Sequence, residues 1–184
     1  MIVSFTGAQS TGKSTLFNRL KSTDRFRRFN FVSEITRTLK EKYNLDINED
    51  GNDMTQLAIL NSHFMNYLKY KNSNVLLDRC ILDGLVYTTY LYYTEKVSKQ
   101  VVDYAEYITG LLVNKIDILY YTESDVPLVD DGERSVNIEF RNKILELFEE
   151  AIDHYKINVV RLKGSIDDRV KIINEKFDLW QTIN

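Results

Sequence analysis

The stretch from Gly7 to Ser14 constrains the fold more than any other part of the chain, because it follows the pattern G-x-x-x-x-G-K-[ST]. An apolar run at residues 2–5 precedes it and predicts a strand. Residues 13–20 follow, with two leucines one turn apart, and predict a helix. A chance match in a polar turn does not require this context, whereas a phosphate-binding loop (P-loop) does.

The motif contains the residue types that binding a triphosphate requires. Gly7 and Gly12 let the backbone approach phosphate closely, so that successive N–H groups point at it. The helix that begins near Lys13 adds the positive end of its dipole. The Lys13 ammonium is expected to reach the β- and γ-phosphates, and the Ser14 hydroxyl to ligate Mg²⁺. The expected ligand is Mg-ATP, and the predicted binding residues are Gly7, Ala8, Gln9, Ser10, Thr11, Gly12, Lys13, Ser14 and Thr15.

Predicted strands and helices alternate along the rest of the chain. Apolar runs predict four further strands, at residues 29–32, 74–78, 116–121 and 159–162. Helical spacing of apolar residues predicts helices at 35–43, 53–68, 82–93, 101–113, 138–155 and 166–180. This alternation is typical of an α/β fold. We expect the three-layer P-loop NTPase fold, with a five-stranded, mainly parallel sheet and a helical lid.

Composition indicates one ordinary domain. The 184 residues include one proline and no linker, repeat or low-complexity stretch, so we expect a single domain over residues 1–184. The net charge of −3 makes nucleic acid the less favoured partner. The single cysteine, Cys80, suits a reducing compartment. No apolar run approaches the roughly 20 residues of a membrane span, and the motif leaves no room for a cleavable signal, so we expect a cytoplasmic protein. The oligomeric state stays open.

A carboxylate is expected at the end of a neighbouring strand, where it would hold Mg²⁺ or its waters. Asp78 closes the apolar run at residues 74–77 and is the candidate. The alternative is that Asp78 only caps the helix that follows. We favour the metal role, because a buried strand that ends in aspartate is what the metal requires. The predicted metal residues are therefore Ser14 and Asp78, and Lys13 and Asp78 are assigned to catalysis.

A second nucleotide motif competes with this interpretation. The residues from Asn114 to Asp117 match N-K-x-D, which reads guanine in GTPases. In GTPases an apolar strand precedes that motif, whereas here a helical pattern precedes it and the apolar run follows at residues 118–121. A D-x-x-G switch is also missing after Asp78. A turn between a helix and a strand is the favoured interpretation.

A polar segment at about residues 125–141 lies where a kinase keeps a closing lid. Phosphoryl transfer develops negative charge on the equatorial oxygens, which an arginine can stabilise. Arg134 is the catalytic candidate, because Gly132 gives it a flexible neighbour, and Arg141 is assigned to substrate binding. The alternative is a solvated loop with incidental charge.

Further charged residues follow the second and third predicted strands, at the edge where open α/β sheets bind their ligands. Glu34 and Arg37 lie one helical turn apart, and Arg79 and Asp83 follow the third strand. Carboxylates suit sugar hydroxyls or act as general bases, and arginines suit phosphate or carboxylate groups. These four residues are the acceptor-site candidates. The alternative for Glu34 and Arg37 is a surface ion pair.

Histidines and tyrosines are expected to be structural. His63 and His154 stand alone on helical patterns, and no His or Cys spacing suits a metal. The tyrosines between residues 87 and 93 could stack a base, but their helical spacing favours core packing.

Four segments spread over most of the chain form a recognisable set. They are residues 7–16 (GAQSTGKSTL), 33–37 (SEITR), 77–83 (LDRCILD) and 125–134 (DVPLVDDGER). Together they resemble the P-loop kinases related to the nicotinamide-riboside kinase domain of NadR-type proteins. In that family the first segment binds ATP phosphates, the next two line the acceptor site, and the fourth covers the reaction centre. The resemblance also implies that residues 164–169 lie near the adenine.

The pair Asp78–Arg79 is similar to the Asp-Arg pair of thymidylate and deoxynucleoside kinases, in which the arginine faces substrate phosphate or the reacting oxygens. The resemblance implies an ATP-dependent phosphotransferase with a small-molecule, nucleoside- or nucleotide-like acceptor. Two alternatives stay open: a kinase acting on a nucleoside within DNA or RNA, and a GTP-binding regulatory module.

Overall fold

The centre of the protein is a five-stranded sheet. A computed structural model describes residues 1–33, 35–124 and 137–183. The strands are β1 (Ile2–Thr6), β2 (Asn30–Val32), β3 (Val75–Asp78), β4 (Ile118–Thr122) and β5 (Val159–Leu162). They lie in the order β2-β3-β1-β4-β5, and all four pairings are parallel.

The described residues form α-helices on both faces of this sheet. They are α1 (Lys13–Lys21), α2 (Ile35–Tyr43), α3 (Asp53–Tyr70), α4 (Ile81–Tyr93), α5 (Lys99–Leu112), α6 (Ile138–His154) and α7 (Ile166–Ile183). Side chains alternate along a strand, so β4 points Ile118 and Tyr120 to one face and Leu119 and Tyr121 to the other. The first pair packs with α1 and α7, and the second with α4, α5 and α6. The predicted three-layer α/β fold with five strands is confirmed.

The strand order creates a crevice at the carboxyl edge of the sheet. The chain runs from β1 to β2 and β3 on one side of β1, and then crosses to β4 and β5 on the other. Open α/β sheets bind ligands where the order reverses in this way. The register brings Phe5 opposite Asp78 and Thr6 opposite Tyr121, so the loops that leave β1, β3 and β4 meet at this point.

Helix α3 begins at the predicted residue. The side chain of Asn52 caps it by accepting a hydrogen bond from the backbone N–H of Thr55 at 3.1 Å. Asp53 instead accepts one from the backbone N–H of Ser98, at 2.7 Å, and so ties the start of α3 to the start of α5.

The buried face of α3 is not simply its apolar one. Met54 and Leu68 are among the apolar residues whose helical spacing predicts this helix, yet they are 69% and 40% exposed. The buried positions are Gln56, Leu60 and His63, together with Thr55 near the cap. Leu60 packs against α4. This packing turns the polar side chains of Gln56 and His63 towards the interior rather than towards solvent.

The predicted lid is only partly within the described residues. Its residues 125–136 lie outside them, whereas residues 138–141 form the first turn of α6. Asn137 caps α6 by accepting a hydrogen bond from the backbone N–H of Phe140 at 3.1 Å, and the lid stays a prediction. In the part of the chain that the structure describes, none of the helices has both the length and the apolar character to cross a bilayer.

Candidate active site

The predicted P-loop forms a tight turn between β1 and α1. Gly12 precedes α1 with a φ of 83°, and its carbonyl accepts the first helical hydrogen bond, from the backbone N–H of Leu16 at 3.0 Å. The Lys13 side chain is 5% exposed and folds back onto the loop. Its Nζ donates to the carbonyl of Gly7 at 2.7 Å, to the carbonyl of Ala8, and to Thr11 Oγ1 at 3.1 Å. The ammonium therefore lies within the turn of the loop.

The end of β4 braces this loop, a contact that the sequence did not indicate. Thr11 Oγ1 and Thr122 Oγ1 lie 2.7 Å apart, and the Thr122 hydroxyl lies 3.1 Å from the carbonyl of Thr6. Gly7 packs so closely here that a Cβ would lie 2.7 Å from Thr122 Oγ1 and 2.8 Å from its carbonyl oxygen. Gly7 also has a φ of 133°. Position 7 therefore requires glycine because of its close packing against β4, in addition to the predicted close approach of phosphate.

The two predicted metal residues meet across the crevice. The Ser14 hydroxyl, in the first turn of α1, lies 3.4 Å from Asp78 Oδ2, at the end of β3. The other carboxylate oxygen, Asp78 Oδ1, is buried and has no hydrogen-bond partner among the described residues. Asp78 is not the cap of α4, since that position belongs to Cys80. A hydroxyl and a carboxylate with an unused oxygen form a donor set that fits Mg²⁺.

Two more polar atoms of the loop are buried. Gln9 Nε2 and Ser10 Oγ have no hydrogen-bond partner among the described residues. Gln9 Oε1 accepts from the Tyr87 hydroxyl at 3.0 Å, which directs the amide nitrogen away from α4. Ser10 has a φ of 57°, an uncommon conformation for a residue with a side chain. Buried polar atoms of this kind are usually satisfied by a ligand or by water.

Arg79 and Asp83 form an ion pair beside the predicted metal residues. Arg79 Nη1 donates to Asp83 Oδ1 at 2.8 Å, and the guanidinium lies over the Tyr87 ring, 5.5 Å from its centre. The other oxygen of Asp83 accepts from Thr6 Oγ1 at 2.8 Å and from the backbone N–H of Cys80 at 3.0 Å. Asp83 is 3% exposed, so its carboxylate both holds Arg79 and caps α4.

A cleft runs from the predicted metal residues, Ser14 and Asp78, towards α2 and α3. It encloses about 950 Å³ when its open mouth is included. Its polar walls include Ser14, Thr36, Arg37, Asn48, Gln56, His63, Asp78, Arg79 and Asp83. Its apolar walls are Ile35, Ile47, Ile59 and Tyr87.

Three predicted acceptor residues therefore line one cleft, namely Arg37, Arg79 and Asp83. Glu34 and the catalytic candidate Arg134 lie outside the described residues. Arg141 is 7% exposed in α6 and is not among the residues that line the cleft. Its assignment to substrate binding stays a prediction.

The guanine-type motif lies at the opposite edge of the sheet. Asp117 Oδ2 accepts a hydrogen bond from the backbone N–H of Ile2, the first residue of β1, at 2.6 Å. The P-loop follows the last residue of β1, so five residues of strand, on the order of 16 Å, separate the two motifs. The turn between a helix and a strand that we favoured is what the structure contains.

A family described as an AAA domain matches residues 2–169 of the chain. This protein belongs to that AAA-domain family. None of the curated protein sequences matches it significantly.

Solved structures relate this AAA domain to NadR proteins at the level of the fold. A NadR protein in complex with NR has a TM-score of 0.69 and 22% identity, over 89% of this chain and 45% of the NadR chain. A NadR protein with NAD and AMP-PNP has a TM-score of 0.67 and 20% identity, over 92% and 47%. The domain thus spans less than half the length of these NadR chains.

A second group of structures matches over its whole length. A deoxyadenosine kinase from M. mycoides with bound dATP has a TM-score of 0.68 and 16% identity, over 97% of this chain and 100% of the kinase. The same enzyme with the products dCMP and dCDP gives a TM-score of 0.66 at 13% identity. The AAA domain therefore shares its fold with both kinds of kinase that the sequence resembled.

The cleft of this AAA domain contains side chains that sequence reasoning assigned to structure. His63 is 7% exposed, and burial lowers the pKa of its imidazole to about 4, with Asp83 opposing and Arg79 reinforcing the shift. The imidazole is therefore neutral at pH 7. Gln56 is 2% exposed, and its Oε1 lies 3.0 Å from the Thr88 hydroxyl. Gln56 and His63 are seven residues apart, which is two helical turns and puts both on one face of α3. This spacing is the sequence signal that could have identified them.

The tyrosines of α4 take different roles. Tyr87 lines the cleft, whereas Tyr90 packs edge-on against Phe140 with ring centres 4.6 Å apart. Tyr92 and Tyr93 are 37% and 60% exposed. The expectation of core packing is right for Tyr90 and wrong for the exposed pair.

Proposed function

We propose that the protein is an ATP-dependent phosphotransferase that moves the γ-phosphoryl group to a nucleoside- or nucleotide-like acceptor. One observation carries the proposal: Ser14 and Asp78, the metal candidates, line the same cleft as Arg37, Arg79 and Asp83. A protein that only binds a triphosphate does not need a second polar cleft at its metal residues. A kinase does, because the acceptor must lie in line with the γ-phosphate.

The donor half of the site consists of the loop from Gly7 to Thr15. Its backbone N–H groups and the N-terminus of α1 would hold the phosphates. The Lys13 ammonium would exchange its contacts with the carbonyls of Gly7 and Ala8 for the β- and γ-phosphate oxygens. Ser14 and Asp78 would hold Mg²⁺, which neutralises charge on the bridging phosphates.

The acceptor half is the cleft between α2, α3 and α4. An acceptor oxygen would attack the γ-phosphorus, the bond from phosphorus to the β–γ bridging oxygen would break, and ADP would leave with the electron pair. Glu34 is proposed to accept the proton and Arg134 to stabilise the transferring group. Asp83 would act through Arg79, since its two oxygens already accept three hydrogen bonds.

The test measures ATP consumption and phosphorylated product with a panel of nucleosides and nucleoside monophosphates. Lys13→Ala is expected to reduce turnover at least 100-fold, because it removes a charge that faces the transferred group. Lys21→Ala is the matched control, since this exposed lysine ends the same helix. Wild-type protein that consumes no ATP with any acceptor, or a Lys13→Ala variant with normal turnover, would show the proposal to be wrong.

The same assay separates the two alternatives. A GTP-binding module would prefer GTP over ATP and would lose that preference in Asn114→Ala, whereas we expect no effect of this exposed residue. A polynucleotide kinase would bind DNA or RNA oligonucleotides tightly and in a salt-dependent way. We expect phosphorylation of the monomers without such binding.

A further inference from the structure

Arg169 is a fully buried cation beside the P-loop. It lies in the first turn of α7, and its side chain is 0% exposed. Nη1 donates to the carbonyl oxygen of Thr11 at 2.6 Å, and Nε to that of Gly164 at 3.1 Å. Nη2 lies 3.4 Å from the carbonyl oxygen of Glu123. One guanidinium therefore links the P-loop to the loops that follow β4 and β5.

The free energy needed to bury the Arg169 guanidinium distinguishes this residue from an ordinary core side chain. Burying a guanidinium is unfavourable unless its N–H groups are well satisfied, and apolar side chains could fill the same volume without that cost. The Arg169 guanidinium is instead directed at a backbone carbonyl within the phosphate-binding motif. The planar fork of an arginine can reach three carbonyls at once, which a lysine cannot do.

The hydrogen bond to Thr11 determines where the next N–H group points. The described residues contain no cis peptide bond. In a planar trans peptide the C=O of one residue and the N–H of the next point in opposite directions. Because Arg169 holds the carbonyl of Thr11, the N–H of Gly12 must point away from Arg169, to the opposite side of the loop. Phosphate-binding loops work by converging such N–H groups on an anion.

Gly12 has the geometry that this orientation needs. Its φ of 83° is in the left-handed region, and a Cβ would lie 3.4 Å from Arg169 Nη1. Arg169 and Gly12 thus fit each other directly. The positive charge is also fully buried next to the loop, where it favours a bound anion more than a surface charge would.

We propose that Arg169 is a positioning residue for the donor phosphates: it orients the Gly12 N–H group and adds positive charge behind the loop. It acts through Thr11 and not by contact with the substrate. The inference rests on the proposed binding of ATP at the P-loop. It adds that this binding depends on Arg169, which lies 158 positions after Thr11 in the chain.

The test compares Arg169→Gln and Arg169→Lys with the wild-type protein by calorimetric titration of AMP-PNP and of adenosine. Arg169→Gln is expected to weaken AMP-PNP binding at least tenfold, and Arg169→Lys about threefold, with adenosine binding changed less than twofold. Arg25→Gln is the control, since Arg25 pairs with Asp178 on the exposed far end of α7. It should bind AMP-PNP as the wild type does.

Binding is measured well below the unfolding temperature of each variant and referred to its folded fraction. A purely structural arginine would lower the unfolding temperature and leave the Kd for AMP-PNP unchanged, and that result would overturn the inference. Wild-type protein that does not bind AMP-PNP would overturn the proposed function, and this role with it.

A measurement on the wild-type protein keeps the inference testable if both variants fail to fold. The backbone amide resonance of Gly12 should shift strongly, and its hydrogen exchange should slow, when AMP-PNP is added. An amide of Gly12 that AMP-PNP leaves unchanged would overturn the inference.

Discussion

The Ser14 hydroxyl lies 3.4 Å from Asp78 Oδ2, and this contact joins the first turn of α1 to the end of β3. The sheet register produces it, because Asp78 pairs with Phe5, two residues before the P-loop begins. The second carboxylate oxygen is buried, with no hydrogen-bond partner among the described residues. The two side chains come from separate elements and converge only in the folded protein.

We expect this pair to determine the dependence on Mg²⁺. Asp78→Asn should reduce turnover at least 100-fold, because the variant loses the charge that holds the cation. Ser14→Ala should raise the Mg²⁺ concentration for half-maximal activity about tenfold or more. Ser22→Ala is the control, since its hydroxyl bonds only to the exposed backbone at the end of α1. Magnesium titrations that leave Asp78→Asn and the wild type indistinguishable would contradict the metal role.

Asp83 is expected to matter for stability as well as for the acceptor. Asp83→Asn removes the charge that pairs with Arg79 and weakens the cap of α4, so the free energy of unfolding should fall by about 2–3 kcal/mol. Urea unfolding measures the loss. Asp103→Asn breaks an exposed ion pair with Lys99 in α5 and should change the free energy by less than about 1 kcal/mol. If both variants lose the same free energy of unfolding, the buried ion pair contributes no more to stability than the exposed one.

Substitution by alanine is expected to have opposite effects on stability at two glycines. Gly7→Ala should destabilise the protein by about 3 kcal/mol or more, because the added Cβ meets Thr122 at 2.7–2.8 Å and φ is positive. Gly110→Ala lies within α5, where the added Cβ would be 3.6 Å from Tyr155, an ordinary contact. Alanine should there stabilise the helix by about 0.5–1 kcal/mol. Thermal unfolding of both variants tests the pair, and a tolerated Gly7→Ala would contradict the packing at the end of β4.

His63 is expected to make the protein less stable in mild acid. Burial lowers the pKa of its imidazole from 6.5 to about 4 in the folded state. Between these values the unfolded chain binds the proton and the folded protein does not, so stability falls as the pH decreases from 6.5 to about 4. The contribution is at most about 1.4 kcal/mol per pH unit.

His63→Gln should remove that part of the pH dependence. The measurement is the free energy of unfolding of both proteins across this pH range, with His154→Gln as the control, because His154 lies at the end of α6, away from the cleft. Parallel curves for wild type and His63→Gln would show that the imidazole is not held neutral.

Much of the fold follows from local patterns. The apolar runs at β3 and β4 are buried on both faces of a parallel sheet, so they are continuous in sequence and easy to recognise. The P-loop is similarly local, since all of its residues lie within one turn between a strand and a helix. Asp78 could be proposed as a metal ligand because it is the last residue of a buried strand, β3, and this strand ends beside the P-loop.

Residues whose role depends on distant packing could not be assigned in this way. His63 and Gln56 look like ordinary helix residues, and only the packing of Leu60 on α4 turns them towards the cleft. Thr122 and Arg169 touch the P-loop from 111 and 158 positions away along the chain. Nothing in the neighbouring sequence of Thr122 marks its contact, and for Arg169 only the family resemblance implied a position near the nucleotide.

The amino-acid sequence by itself determined the layer architecture and the P-loop and put Asp78 at the end of a buried strand, because apolar periodicity and motif spacing act over a few residues. Only the tertiary structure decided which side chains share the cleft and that Asp83 forms an ion pair with Arg79. The same holds for the motif from Asn114 to Asp117, which the strand direction of β1 places at the far edge of the sheet. These contacts depend on strand order and helix packing, which bring together residues that no local pattern connects.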